Sequence, residues 1–118
     1  ADLTSANAAT SCITGVADLA AVFKDKADFN GDISHWDVSA VTTMLELFSG
    51  AEDFNQDISA WQTDEVTNMD FMFYKTKHFN QDLSGWCVEE IAVAFSFSSG
   101  NNAWTEPKPP FGQPCAAP

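Results

Sequence analysis

Positive charge is what this sequence has least of. Five basic side chains stand against 17 acidic ones, for a net charge of −12. Such a surface repels phosphate backbones, which argues against nucleic acid as a partner. It disfavours anionic membranes for the same reason. Solubility, divalent cations and cationic partners are the natural readings of that charge. Long apolar runs are missing too. The longest, Leu19–Phe23 and Ile91–Phe95, fall far short of the ~20 residues a membrane helix needs. No secretory signal is visible, and the chain opens on Ala1 rather than Met, which reads as the trace of a removed segment.

Catalytic and metal-binding residue types are equally sparse. The three cysteines, Cys12, Cys87 and Cys115, are too few for a disulfide-dense scaffold, and none has a close Cys or His neighbour at zinc-ligand spacing. The two histidines, His35 and His78, lie at different phases of the pattern described below, so they are not expected to converge on a metal or a triad. There is no phosphate-cradling glycine loop and no nucleophile elbow. The acid pairs Asp64–Glu65 and Glu89–Glu90 fall at expected helix starts, where they suit the positive end of the helix dipole. The expectation is a protein that is not an enzyme.

What the sequence does have is a period. The stretches FNGDISHW, FNQDISAW and FNQDLSGW begin at Phe29, Phe54 and Phe79, 25 residues apart. At that offset Phe29, Phe54, Phe79 and Trp104 form one column. Asn30, Asn55 and Asn80 form the next, followed by Asp32, Asp57 and Asp82, then Ser34, Ser59 and Ser84, then Trp36, Trp61 and Trp86. Similarity at such a period points to a solenoid in which each copy buries its apolar columns against its neighbours. The expected divisions of this single domain are a cap and partial copy over 1–28, copies over 29–53 and 54–78, a degenerate last copy over 79–103, and a proline-rich cap over 104–118. Within the first division, Ala1–Ser11 is read as the N-terminal cap.

Two elements are expected in each copy. The DIS triplet reads as a short strand, an apolar residue between polar ones. After the Trp, Val41, Met44 and Phe48 recur at i, i+3 and i+7, the spacing of one face of a short helix. Thr14, Ser39, Asp64 and Glu89 stand where its N-cap would be, and Gly50 and Gly100 where a C-cap glycine would sit. The fold class expected is therefore α/β, with one short strand and one short helix per 25-residue copy. The Asn column is expected at buried corners, bonding the backbone of neighbouring copies.

The pattern FNxDISxWDVSxVTxMxxMF resembles the 25-residue repeat of bacterial surface proteins and mycoplasma lipoproteins, and is similar to the wider group of BspA-like leucine-rich repeats. The resemblance runs roughly from Cys12 to Cys115. It implies a right-handed, leucine-rich-repeat-like solenoid on a secreted or surface-displayed protein, in a family whose roles are adhesion or unknown. The closing stretch also resembles the terminal unit of such arrays, which tends to end in a proline-rich segment with a cysteine. The first copy departs from the pattern, with TSCITGV in place of HWDVSAV.

Cys12 and Cys87 share a column three copies apart, which at ~4.8 Å per layer is about 14 Å, beyond disulfide reach. Cys115 lies in the returning tail, so a Cys87–Cys115 disulfide is expected to clasp the C-terminal cap. Cys12 is expected to be a small buried hydrophobe. The tail carries all five prolines and is not expected to continue the ladder.

One feature reaches toward function. Asp32, Asp57 and Asp82, if exposed, form a ladder of like charges that something should offset. One candidate is local: each carboxylate accepting N–H bonds in its own turn. The other is a calcium ion between adjacent carboxylates, with Ser34, Ser59 and Ser84 as further oxygen donors. The expected function is recognition or adhesion on a cell surface or matrix, through a protein or glycan partner. The expected binding residues are Asp32, Ser34, His35, Asp57, Ser59, Asp82 and Ser84. A structural spacer in a surface array, or a calcium- or mineral-binding module, are the alternatives.

Overall fold

The computed structural model describes residues 12–115, and the N-terminal cap expected over Ala1–Ser11 lies outside them. The α/β expectation does not hold. Among the described residues there is no helix, and extended pairing is limited to isolated parallel bridges, Asp18 with Thr43 and Thr43 with Asn68. The DIS triplets are not strands, and the bridges fall inside the segments expected to be helical. A leucine-rich-repeat-like solenoid with a strand and a helix in each copy is therefore ruled out. Thr14, Ser39, Asp64 and Glu89 have no helix to cap.

In place of those elements the chain makes β-turns, one after another. From the second copy into the third, backbone bonds close turns from Val38 to Val41, Met44 to Leu47, Phe48 to Ala51, Ala51 to Phe54 and Ile58 to Trp61, at 2.9–3.1 Å. The first and fourth residues of all these turns are buried, whereas the middle residues are exposed or half-buried, Ser49 excepted. One period on, from the third copy into the last, the scheme repeats from Thr63–Val66 through Thr76–Phe79 to Leu83–Trp86. Turn corners thus build the core, and turn middles build the surface.

Backbone conformation explains why these segments are not helices. Ala21, Glu46, Phe71 and Ser96 share one column, and all have φ between 49° and 59°. Asp25, Gly50, Lys75 and Gly100 share another, with φ between 56° and 84°. These are third positions of turns such as Met44–Leu47 and Phe48–Ala51, where a type II turn requires φ above zero. A left-handed residue at every fourth position breaks any right-handed helix. Gly50 and Gly100 are thus turn residues, not helix caps.

Successive copies lie against one another in the 25-residue register. Alternate amides of one copy donate to carbonyls of the next: Met44 to Asn68, Glu46 to Asp70, Phe48 to Met72 and Gly50 to Tyr74, at 2.8–3.0 Å. Phe29 stacks on Phe54 and Phe54 on Phe79, each with ring centroids 5.7 Å apart. Phe23, Phe48 and Phe73 form a second file beside the first, at 5.7 and 5.4 Å. Buried indole N–H groups reach back to the copy before, Trp61 to the Ile33 carbonyl and Trp86 to the Ile58 carbonyl. The two buried threonines, Thr63 and Thr76, donate to the carbonyls of Cys87 and Phe48. No buried side-chain polar atom among the described residues is left without a partner.

The Asn column does bond neighbouring copies, though from a more exposed position than expected. The Asn30 side-chain oxygen accepts the Asn55 N–H at 2.9 Å, and that of Asn55 accepts the Asn80 N–H at 2.8 Å. The oxygen of Asn80 accepts N–H bonds from Thr105 and Glu106, which brings the tail into the same ladder.

Candidate functional site

The tail closes over the last copy. Trp104 packs edge-on against Phe79 with centroids 4.8 Å apart, and Phe111 against Phe97 at 5.0 Å. The prolines do not exclude it from backbone pairing, because a proline keeps its carbonyl: Pro107 accepts the Leu83 N–H at 2.9 Å. The Cys87–Cys115 disulfide is formed, with the Cα atoms 5.3 Å apart. Cys12 departs from its expectation. It is exposed and free, and the backbone and hydroxyl of Thr14 push its thiol down from the usual range.

The seven residues expected to form a site, Asp32, Ser34, His35, Asp57, Ser59, Asp82 and Ser84, are all exposed and fall on the same stretch of successive copies. Each Asp is fixed by its own turn. Oδ1 of Asp32 accepts the Ser34 N–H at 3.0 Å and the Ser34 hydroxyl at 2.7 Å. Asp82 does the same with Ser84, at 2.9 and 2.6 Å, and Asp57 accepts the Ser59 N–H at 2.9 Å. The serine hydroxyl, with the serine amide next, holds each of the three carboxyls below the usual carboxylate range. Of the two ways of offsetting the charge ladder, the local one is in place, and it occupies one oxygen of each carboxylate.

A fourth pinned carboxylate lies outside the expected set. Oδ1 of Asp37 accepts the Ser39 N–H and hydroxyl, at 3.0 and 2.6 Å, and its acidity is raised in the same way. The signal was present in the sequence as the D-x-S spacing shared by Asp32, Asp57, Asp82 and Asp37. It went unread because Ser39 was assigned to a helix cap.

The Asp column brings no three His, Cys, Asp or Glu ligand atoms together at one point. Among the described residues the one such cluster of ligand-type side chains is Cys87, Glu89 and Cys115, with ligand atoms within 4.8 Å of one another. Both its sulfurs are committed to the disulfide. The histidines stay apart in role: His78 has its Nδ1 2.8 Å from the Glu52 carbonyl oxygen and 3.6 Å from Asp53, whereas His35 sits in the exposed turn after Ser34.

Two surface features escaped the sequence reading. One is a shallow cleft of about 250 Å³ between Ser84–Cys87 and the tail residues Pro110, Gln113, Pro114 and Cys115. It begins where the Asp–Ser ridge ends. The other is a set of exposed apolar side chains, Phe71, Val93 and Phe95, at 37%, 60% and 64% exposure. They fall within the segments expected to be helical, outside the apolar columns.

A family model described as Mycoplasma protein of unknown function, DUF285, matches residues 4–107. It makes no assignment to the BspA-like leucine-rich repeats. No curated protein and no solved structure matches the chain.

Proposed function

This chain belongs to the DUF285 family, and on that footing we propose that it is a non-catalytic recognition module on a secreted or surface-displayed protein. Its contact surface is the ridge of Asp32, Asp57 and Asp82 with their serines, flanked by the variable column His35, Ala60 and Gly85. The observation that carries this reading is the repeated pinning of a carboxylate by a serine two residues on. Each pinned aspartate keeps a second oxygen for a partner and stays ionised into acid. The carboxylates are spaced by the fold and held by their own turns, so little side-chain entropy is lost when they engage a donor.

The partner that suits the ridge is a protein surface or glycan rich in donors: ammonium groups, guanidinium groups or sugar hydroxyls. Complementary charge would speed encounter and set specificity. The disulfide supports an oxidising, extracytoplasmic setting, where such bonds persist.

Glycan and protein arrays probed with the wild-type chain and with the double variant Asp57→Ala, Ser59→Ala test this. The proposal expects a hit that the double variant loses while its melting temperature changes little. Unchanged binding by the double variant would favour the spacer reading.

A further inference from the structure

Along the row Leu19–Asp25 and its repeats, backbone hydrogen bonding between copies runs one way, whereas flanking positions bond back, Thr42 to the Ala17 carbonyl and Asp53 to the Ala27 carbonyl. Leu19, Ala21, Phe23 and Asp25 donate to the carbonyls of Thr43, Leu45, Leu47 and Ser49. The next copy donates from Met44, Glu46, Phe48 and Gly50, and the third from Phe71, Phe73 and Lys75 to Phe95, Phe97 and Ser99. Along this row every copy accepts from the one before it and donates to the one after it.

That polarity leaves two unlike ends. In the first copy the matching carbonyls are those of Asp18, Ala20, Val22 and Lys24, and among the described residues they accept no hydrogen bond. In the last copy the matching amides are those of Ala94, Ser96, Ser98 and Gly100, and among the described residues they donate none. The tail as far as Cys115 makes no hydrogen bond with them. It covers the last copy around Phe79, Leu83, Val88 and Phe97 instead. Val93 and Phe95, the most exposed large apolar side chains of the described chain, lie along this uncovered row.

We propose that the row from Ala94 to Gly100 is a docking edge for the first copy of a second molecule of this chain, giving head-to-tail association. The donor and acceptor rows share one spacing, because both are positions of the same 25-residue pattern. The contact would continue the copy-to-copy interface already present inside each molecule. In that register Phe95 falls in the column of the partner's Ala20, after Ala20, Leu45 and Asp70 of its own chain. Unpaired rows of this kind are the general route by which chains add to an edge. Unlike ends make the interface heterologous, so it extends instead of closing into a two-fold dimer. Because each molecule carries −12, association strengthens as salt screens the repulsion.

Sedimentation of the 118-residue chain across a concentration series, at low and moderate salt, reads this directly. The expected result is a distribution of oligomers that lengthens with concentration and with salt. Phe95→Glu blocks the donor end and Ala20→Glu the acceptor end. Each weakens self-association by at least about tenfold. Mixed together, they form one-to-one dimers and nothing larger, because one intact end of each kind remains. Val93→Glu, at an exposed position, repeats the donor-end test, and melting curves verify that all three variants are folded. A chain that stays monomeric at every concentration overturns the proposal. So do folded end variants that associate like wild type, or a mixture that yields no dimer.

Discussion

The side-chain oxygen of Asn55 accepts the backbone N–H of Asn80, 25 residues further along, at 2.8 Å. The same oxygen takes the Gln81 amide at 3.0 Å. One short side chain therefore ties two copies together at the point where the chain turns into its exposed Asp–Ser segment. Replacing Asn55 with Ala strands the Asn80 N–H at a site open to water, so the loss is expected near the lower end of the range for an unmade hydrogen bond, about 1 kcal/mol. Asn55→Asp retains the acceptor and is expected to lose less. Urea midpoints of the two variants decide it. Equal losses would mean that the bond itself contributes nothing.

The disulfide joins residues 28 apart in sequence. Closing a loop of that size stabilises by about 3.5 kcal/mol on the chain-entropy model. Cys115→Ser is expected to lower stability by an amount in the range of roughly 2–4 kcal/mol. The tail, held also by Trp104 and the Asn80 oxygen, should remain partly docked. Thermal melts with and without reductant check the first statement, and Trp104 fluorescence checks the second.

Asp32, Asp37, Asp57 and Asp82 all have carboxyls held below the ordinary range by their serines. A depressed carboxyl binds its proton less readily folded than unfolded. Its contribution to stability is present above the unfolded value of about 3.9 and is lost as pH falls through the folded value. Melting temperature should therefore hold steady near neutrality and fall below about pH 4. Ser34→Ala combined with Ser84→Ala should flatten that fall. An identical acid limb in the double variant would contradict the assigned cause.

Gly50 and Gly85 separate backbone from space. Gly50 has φ of 75°, and a Cβ there would press on the backbone and carboxylate of Asp25. Gly85 has open space around it, and its column already holds His35 and Ala60. Gly50→Ala is expected to cost more than about 1 kcal/mol, from the left-handed penalty and the contact together. Gly85→Ala should be neutral or slightly stabilising. Comparable losses at the two positions would refute the turn assignment at Gly50.

The period was legible, and so were the contacts between its columns, but not the solenoid of strands and helices expected from it. The Phe files, the Asn ladder and the cysteine pairing follow from columns that a reader can align by eye. Secondary structure was not legible, and the reason is geometric. Two consecutive four-residue turns bury their first and fourth residues: Met44, Leu47, Phe48 and Ala51. That is i, i+3, i+4, i+7, the same pattern as one face of a helix. Hydrophobic spacing cannot distinguish the two. The left-handed residues can, but one of their two columns reads Ala21, Glu46, Phe71 and Ser96, none of them a residue type that announces φ above zero, and in the other Gly50 and Gly100 fit a helix C-cap equally well. The D-x-S pinning was half read: its function as a turn was one of two alternatives at Asp32, Asp57 and Asp82, and was missed at Asp37. The exposed row at Val93 and Phe95 stayed hidden because nothing in a sequence column reveals which copy the tail leaves uncovered.

Hydrogen-bond connectivity at Phe48 tests the stacked-turn account most directly. Through-hydrogen-bond NMR couplings report which carbonyl carbon an amide nitrogen is bonded to. The account predicts a coupling from the Phe48 nitrogen to the carbonyl carbon of Met72, 24 residues ahead. A coupling from Phe48 to Met44 instead would restore the helix and contradict the fold described above.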